Sequence, residues 1–162
     1  MSVVGVFRAV RDIPYRIPLS SHEQDQCCAG KHGRLFNELR AKGYTARMRT
    51  CVFLWNSISL PKELKRIPHE KTSYHSYVEV FLHGKWVRLD ATWDKPLQHI
   101  LPVSEWDGTS DTPIAVKPIK IFSRYEEYPH FEDTIIDDDV KVNGKFYHAL
   151  NLWLESERKK GE

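Results

Sequence analysis

The sequence predicts an α+β fold in which a central cysteine-bearing helix packs on an antiparallel β-sheet carrying a histidine and an aspartate. Three observations predict it. Cys28, His32, Leu35, Phe36 and Leu39 recur at helical spacing before Gly43, so one stripe of that helix faces inward. Two alternating apolar runs, Val78/Val80/Leu82 and Val87/Leu89/Ala91, flank His83-Gly84 and read as a hairpin with a two-residue loop. Leu150, Trp153 and Leu154 give a last helix an apolar stripe, and Lys159-Lys160 suit the negative end of its dipole.

The 162 residues suit one domain, 1–162, long enough to bury a core. The net charge of +2, with both signs interspersed, offers no patch for nucleic acid or an anionic membrane surface. No apolar run reaches the length of a bilayer span. Met1 to Phe7 lacks the basic and apolar regions of a secretory signal. Three cysteines, two of them adjacent, do not make a disulfide framework, so a reducing, cytoplasmic setting is expected. Five tryptophans and seven tyrosines predict a well-packed core and an aromatic-lined cleft.

Taken in order, Val3 to Asp12 reads as a short helix with Val3, Val6, Phe7 and Val10 inward, stopped by Pro14 and Pro18. Ile13 to Leu19 is extended. Ser20 to Gln24 matches a capping pattern, opening either a separate turn or the central helix itself. Gly30 and Gly33 are poor helix formers and predict close backbone approach by a neighbour or substrate. Tyr44 to Leu54 is a strand, and Asn56 to Thr72 a connection with a helical piece near Pro61 to Arg66. Lys95 to Pro113 is irregular, and Ile114 to Phe122 adds an edge strand that Pro118 keeps from the centre. Tyr125 to Asp139 reads as acidic loop, and Asn143-Gly144 as a turn before a final helix over Asn151 to Lys160.

The hairpin register carries the chemistry. A two-residue loop sets Leu82 opposite Lys85, Phe81 opposite Trp86, Glu79 opposite Arg88 and Tyr77 opposite Asp90. His75 and Asp90 then share a face as diagonal neighbours, roughly 7–8 Å apart at the backbone. One more loop residue would separate them onto opposite faces. With Cys28 at a helix start, where the dipole favours a thiolate, the chain carries Cys–His–Asp in that order. The thiolate attacks a carbonyl, the imidazole moves the proton, and the carboxylate orients the imidazole. The Cys28 backbone N–H is the obvious oxyanion donor, with His22, Gln24 or Gln26 as side-chain candidates.

At this point the sequence resembles the transglutaminase-like superfamily of papain-type cysteine enzymes. Cys28 followed by Gly43-Tyr44-Thr45-Ala46-Arg47 is similar to its first block. His75-Ser76-Tyr77-Val78-Glu79-Val80 and Lys85-Trp86-Val87-Arg88-Leu89-Asp90-Ala91-Thr92 are similar to its second. The likeness covers about residues 27–94 and implies a papain-like core with Cys28, His75 and Asp90 as catalytic residues. The interval to Gly43 favours Cys28 over Cys27 as nucleophile. The residue before the nucleophile is Cys27, where animal transglutaminases carry Gln, and an aromatic is missing after it. Cys28-x-x-Lys31-His32 instead resembles a prokaryotic C-x-x-K-H branch, which weakens the expectation of glutamine–lysine cross-linking. There is no calcium-loop pattern, and Asp137-Asp138-Asp139 reads as a solvated turn.

The expected activity is cysteine-dependent acyl chemistry on an amide or peptide bond, either protease- or amidase-like hydrolysis or acyl transfer, through a thioester. The expected partner is a peptide or protein amide substrate, and no cofactor or metal is called for. Lys31 and His32 stand beside the nucleophile as accessory candidates, with Gln26 and His22 behind them. Tyr77, Trp86 and Trp93 are candidates for the cleft wall. Each has a plainer alternative as core, and Glu79 with Arg88 reads as a cross-strand ion pair. The competing functional class is a non-catalytic binding or scaffold protein that keeps the fold. A metal-binding regulator using Cys27, Cys28, His32 and His75 is a third, without a C-x-x-C or H-x-x-x-H pair to support it.

Overall fold

A computed structural model describes residues 1–124, 127 and 136–162. Helix α1 spans Val3–Arg11 and begins where the Ser2 hydroxyl accepts from the Gly5 N–H. An extended stretch follows, in which Arg16 bridges Gln26. Ser20 to Gln24 forms a separate turn, and helix α2 starts at Cys28, spanning Cys28–Ala41. It ends at Gly43, whose φ of 86° lets the Tyr44 N–H reach back to the Leu39 carbonyl.

Strands β1 (Ala46–Leu54), β2 (Thr72–Leu82), β3 (Lys85–Leu89) and β4 (Pro118–Ile121) form one antiparallel sheet in the order β3-β2-β1-β4. Helix α3 (Lys62–Lys65) lies in the connection from β1 to β2. The hairpin turns on His83 and Gly84 with φ of 49° and 80°, the paired positive values of a tight two-residue turn. Its ladder runs from Leu82 opposite Lys85 to Val78 opposite Leu89. Asp90 therefore sits just beyond the ladder, not within it.

The sheet has two buried faces. Val78, Val80, Val87 and Leu89 pack on α1 and α2 through Val6, Phe7, Val10, Leu35 and Leu39. Cys51, Phe53 and Tyr77 point the other way, into a larger core with Trp55, Trp93, Leu97, Phe146, Leu150 and Leu154. Phe146 and the residues after it come from helix α4, Ile136–Gly161.

Helix α4 corrects the sequence reading. Asn143-Gly144 is no turn but lies inside the helix, where Asn143 is buried and its amide donates to Glu70 and Asp139. Burial of Phe146, Tyr147, Leu150 and Leu154 on one stripe outweighs the local turn preference. Asp137, Asp138 and Asp139 form the first turn of α4, where carboxylates complement the dipole, and are not a solvated turn. The rest of the expected acidic loop, residues 125, 126 and 128–135, lies outside the described residues. Among the described residues, no helix is long and apolar enough to cross a membrane.

Candidate active site

Cys28 occupies the first position of α2, half-buried against the larger core. The helix can start here because Asp25 folds back on it. The Asp25 carboxylate accepts from the Cys27 N–H at 2.8 Å, and its backbone lies so close to α2 that a Cβ on Gly30 would meet the Asp25 carbonyl oxygen at 1.9 Å. Gly30 is thus required by close approach. Gly33 is not: nothing lies within 4 Å of a Cβ built there, so the expected approach at that position is absent.

His75 stands on β2 opposite Cys51 of β1. Its Nε2 lies 2.7 Å from Asp90 Oδ2. That contact leaves Nδ1 for the thiol, and Cys28 and His75 each favour the charged form of the other. Asp90 is held on every side. Its Oδ2 also accepts from the Ala115 N–H at 2.8 Å, and its Oδ1 accepts from the Thr92 N–H and hydroxyl at 3.1 and 2.6 Å. Its own N–H donates to the Thr112 hydroxyl.

These contacts fix the protonation states. Burial alone would lower His75, but the Asp90 charge and hydrogen bond, with Cys28, push it up to about 10. Burial would raise Asp90, and His75 reverses this, holding the carboxyl well below the usual range. The Cys28 thiol is held well below its ordinary value: the largest contribution is a hydrogen bond from Cys27, opposed by burial and reinforced by His75 and the Ser76 N–H. The same contact to Cys28, with burial, raises Cys27 well above the ordinary thiol value. The arrangement can therefore hold thiolate and imidazolium side by side at neutral pH. Among the described residues, the Cys28 N–H has no acceptor, so it is free to receive an oxyanion.

The accessory candidates separate. Lys31 is buried, and its Nζ donates to the carbonyls of Arg11, Ile13 and Thr92 at 2.8, 2.7 and 2.7 Å. Burial lowers it to about 7, although these three carbonyls match the three hydrogens of an ammonium. His32 is buried beside it, between Cys28 and Ala91. Gln26 pairs with Arg16 through its backbone and borders a cavity of about 350 Å³ with Tyr15, Asn151 and Arg158. His22 is exposed in the preceding turn, where it faces Ser20 and Asp137, and is not brought to Cys28.

The cleft candidates fare differently again. Tyr77 and Trp93 are buried core, Trp93 packing on Tyr15 with centroids 4.7 Å apart. Trp86 stands at the turn end of the hairpin, beneath Arg47 and against the exposed Phe81. Glu79 does not pair with Arg88 across the strand. It bonds Arg47 and Arg49 of β1, while Arg88 donates to the Thr112 carbonyl. A cavity of about 540 Å³ lies at Ser57, Ile58, Leu101, Ile114, Ala115 and Val116, and sequence reasoning had no means to find it because its walls come from separate loops. Among the described residues, no three His, Cys, Asp or Glu side chains converge as a metal-ligand set.

Fold and site together define an α+β protein with a thiol, an imidazole and a carboxylate in series. Comparison with protein-family models, with curated proteins and with solved structures gives no match.

Proposed function

We propose that this protein is a cysteine enzyme of papain-like, transglutaminase-like architecture that acts on an amide or peptide bond. The observation that carries the reading is the 2.7 Å contact of His75 Nε2 with Asp90, which leaves Nδ1 for a thiol at the start of α2. In this mechanism the Cys28 thiolate attacks the carbonyl carbon, and the oxyanion takes the Cys28 N–H. His75 Nδ1 gives its proton to the leaving nitrogen, the C–N bond breaks, and a thioester on Cys28 remains. Water then attacks the thioester while Nδ1 takes its proton, and the freed acid leaves the thiolate behind. Hydrolysis is preferred to transfer because water needs no second binding site. A time course with a labelled amine acceptor checks this: transfer outrunning hydrolysis would reverse the preference. The cavity beside Ala115, with Ile58, Leu101, Ile114 and Val116 on its walls, suits an apolar side chain of a peptide substrate.

The test is the rate of iodoacetamide alkylation of Cys28 against pH, read by fragment ions that separate it from Cys27, in wild type and His75→Ala. The wild type should react fast near pH 6, and the substitution should move the reaction toward the ordinary thiol range of about 8.5. A wild-type rate that rises only near that value, unchanged by the substitution, would sink the enzyme reading. It would favour the scaffold reading, which draws support from a His75 ring only 2% exposed.

A further inference from the structure

The acyl steps make no use of His32, yet its ring is completely buried against the catalytic groups. Its Nδ1 lies 2.7 Å from the Cys28 carbonyl oxygen, and its Nε2 lies 2.8 Å from the Ala91 nitrogen. A backbone N–H only donates, so Nε2 must accept. A carbonyl only accepts, so Nδ1 must carry the ring proton. The neutral Nδ1–H tautomer alone satisfies both partners. Burial, which lowers the basicity of His32, agrees with this assignment.

The two partners matter because of where they lie. One is the backbone of the nucleophile itself. The other is the residue directly after Asp90. A closed circuit results, running from Cys28 through His32 to Ala91, then Asp90, His75 and back to the thiol. The neighbouring Lys31 grips the next residue, Thr92, by its carbonyl. Asp90 has left the β2–β3 ladder by this point, so strand pairing does not set its position. The circuit does.

We infer that His32 is a positioning residue, a neutral imidazole strut that fixes the segment bearing Asp90 against the backbone of Cys28, so that His75 meets the thiol. The role rests on the thiol–imidazole reading above. A merely buried, satisfied histidine would contribute stability alone; a strut also sets the reactivity of Cys28.

Three variants separate these roles by the pH profile of Cys28 alkylation. In His32→Ala the profile should move up by at least one pH unit, about a tenfold loss of rate at pH 6. In His32→Gln the amide oxygen reaches the position of Nε2 and can accept from Ala91, so at least half of the displacement should be recovered. Val80→Ala, in the core on the α1–α2 face and away from the site, should lower Tm and leave the profile in place. A folded His32→Ala with an unmoved profile overturns the strut, as does a Val80→Ala shift of equal size. Should His32→Ala not fold, His32→Asn, which keeps only the donor toward Cys28, is compared with His32→Gln; two wild-type profiles overturn the proposal. Should wild-type Cys28 itself react as an ordinary thiol, the enzyme reading fails by that measurement. The strut is then read by NMR from the low-field His75 Nε2 proton on Asp90. Its loss in the His32 variants supports the role, and its persistence overturns it.

Discussion

Two carboxylates, Glu79 on β2 and Asp90 just beyond β3, are built differently. Glu79 is ringed by Arg47 and Arg49, with Nε and Nη1 at 2.6 and 3.1 Å, near the exposed end that carries Phe81 and Trp86. Asp90 is sealed, with His75, the Ala115 N–H and both donors of Thr92 around it. Both are satisfied. The difference lies in how freely their partners move. Arginine side chains can follow a carboxylate; the backbone N–H groups of Thr92 and Ala115 cannot. Fixed donors make a carboxylate a reference point for the groups around it, and side-chain donors make it one member of a half-buried ion pair.

Asp90→Ala tests this contrast with the largest expected effect. It leaves His75 buried without its partner and strands the N–H groups of Thr92 and Ala115, which should cost about 3–5 kcal/mol in urea unfolding. The deficit should depend on pH. His75 is raised to about 10 from an ordinary 6.5, so the pair's stabilisation is full below 6.5 and is lost as pH rises through 10. On the acid side it is lost as pH falls from the ordinary carboxylate range through the lowered value of Asp90. The deficit of Asp90→Ala should shrink at both ends.

The contrast between fixed backbone and free space recurs on α2. Gly30→Ala forces a Cβ onto the Asp25 carbonyl and should cost about 1–3 kcal/mol, while Gly33→Ala, with open space around it, should gain about 0.5–1 kcal/mol. Thermal unfolding of the two variants reads both signs. Glu79→Ala leaves the half-buried Arg49 without its carboxylate and should cost about 1–2 kcal/mol, below Asp90→Ala. A loss matching that of Asp90→Ala would erase the distinction between the two carboxylates.

The legible parts of this molecule were those written in local periodicity. His83-Gly84 dictated the turn and the turn dictated the register as far as Val78 opposite Leu89, one residue short of Asp90, whose expected pairing with Tyr77 lies outside the ladder. The β4 strand starts at Pro118 on the sheet edge, where a missing N–H costs nothing. What stayed hidden was tertiary. Asn143-Gly144 looks like a turn because its buried partners, Glu70 among them, are remote in sequence. The partners of Glu79 lie on β1, across a pairing that no short-range pattern specifies. Lys31 and His32 stood out beside Cys28, but their contacts are to carbonyls and N–H groups, which look alike in every sequence.

The last helix ties down the approach to Cys28. Asn151 exchanges hydrogen bonds with Ile17, and Arg158 binds both the Tyr15 carbonyl and Asp94. Tyr15 and Arg158 are 143 positions apart. At a translation speed of ~5–20 residues per second, the first of them waits on the order of ten seconds on the ribosome for the second. For that interval the segment before Cys28 has neither Asn151 nor Arg158 to hold it.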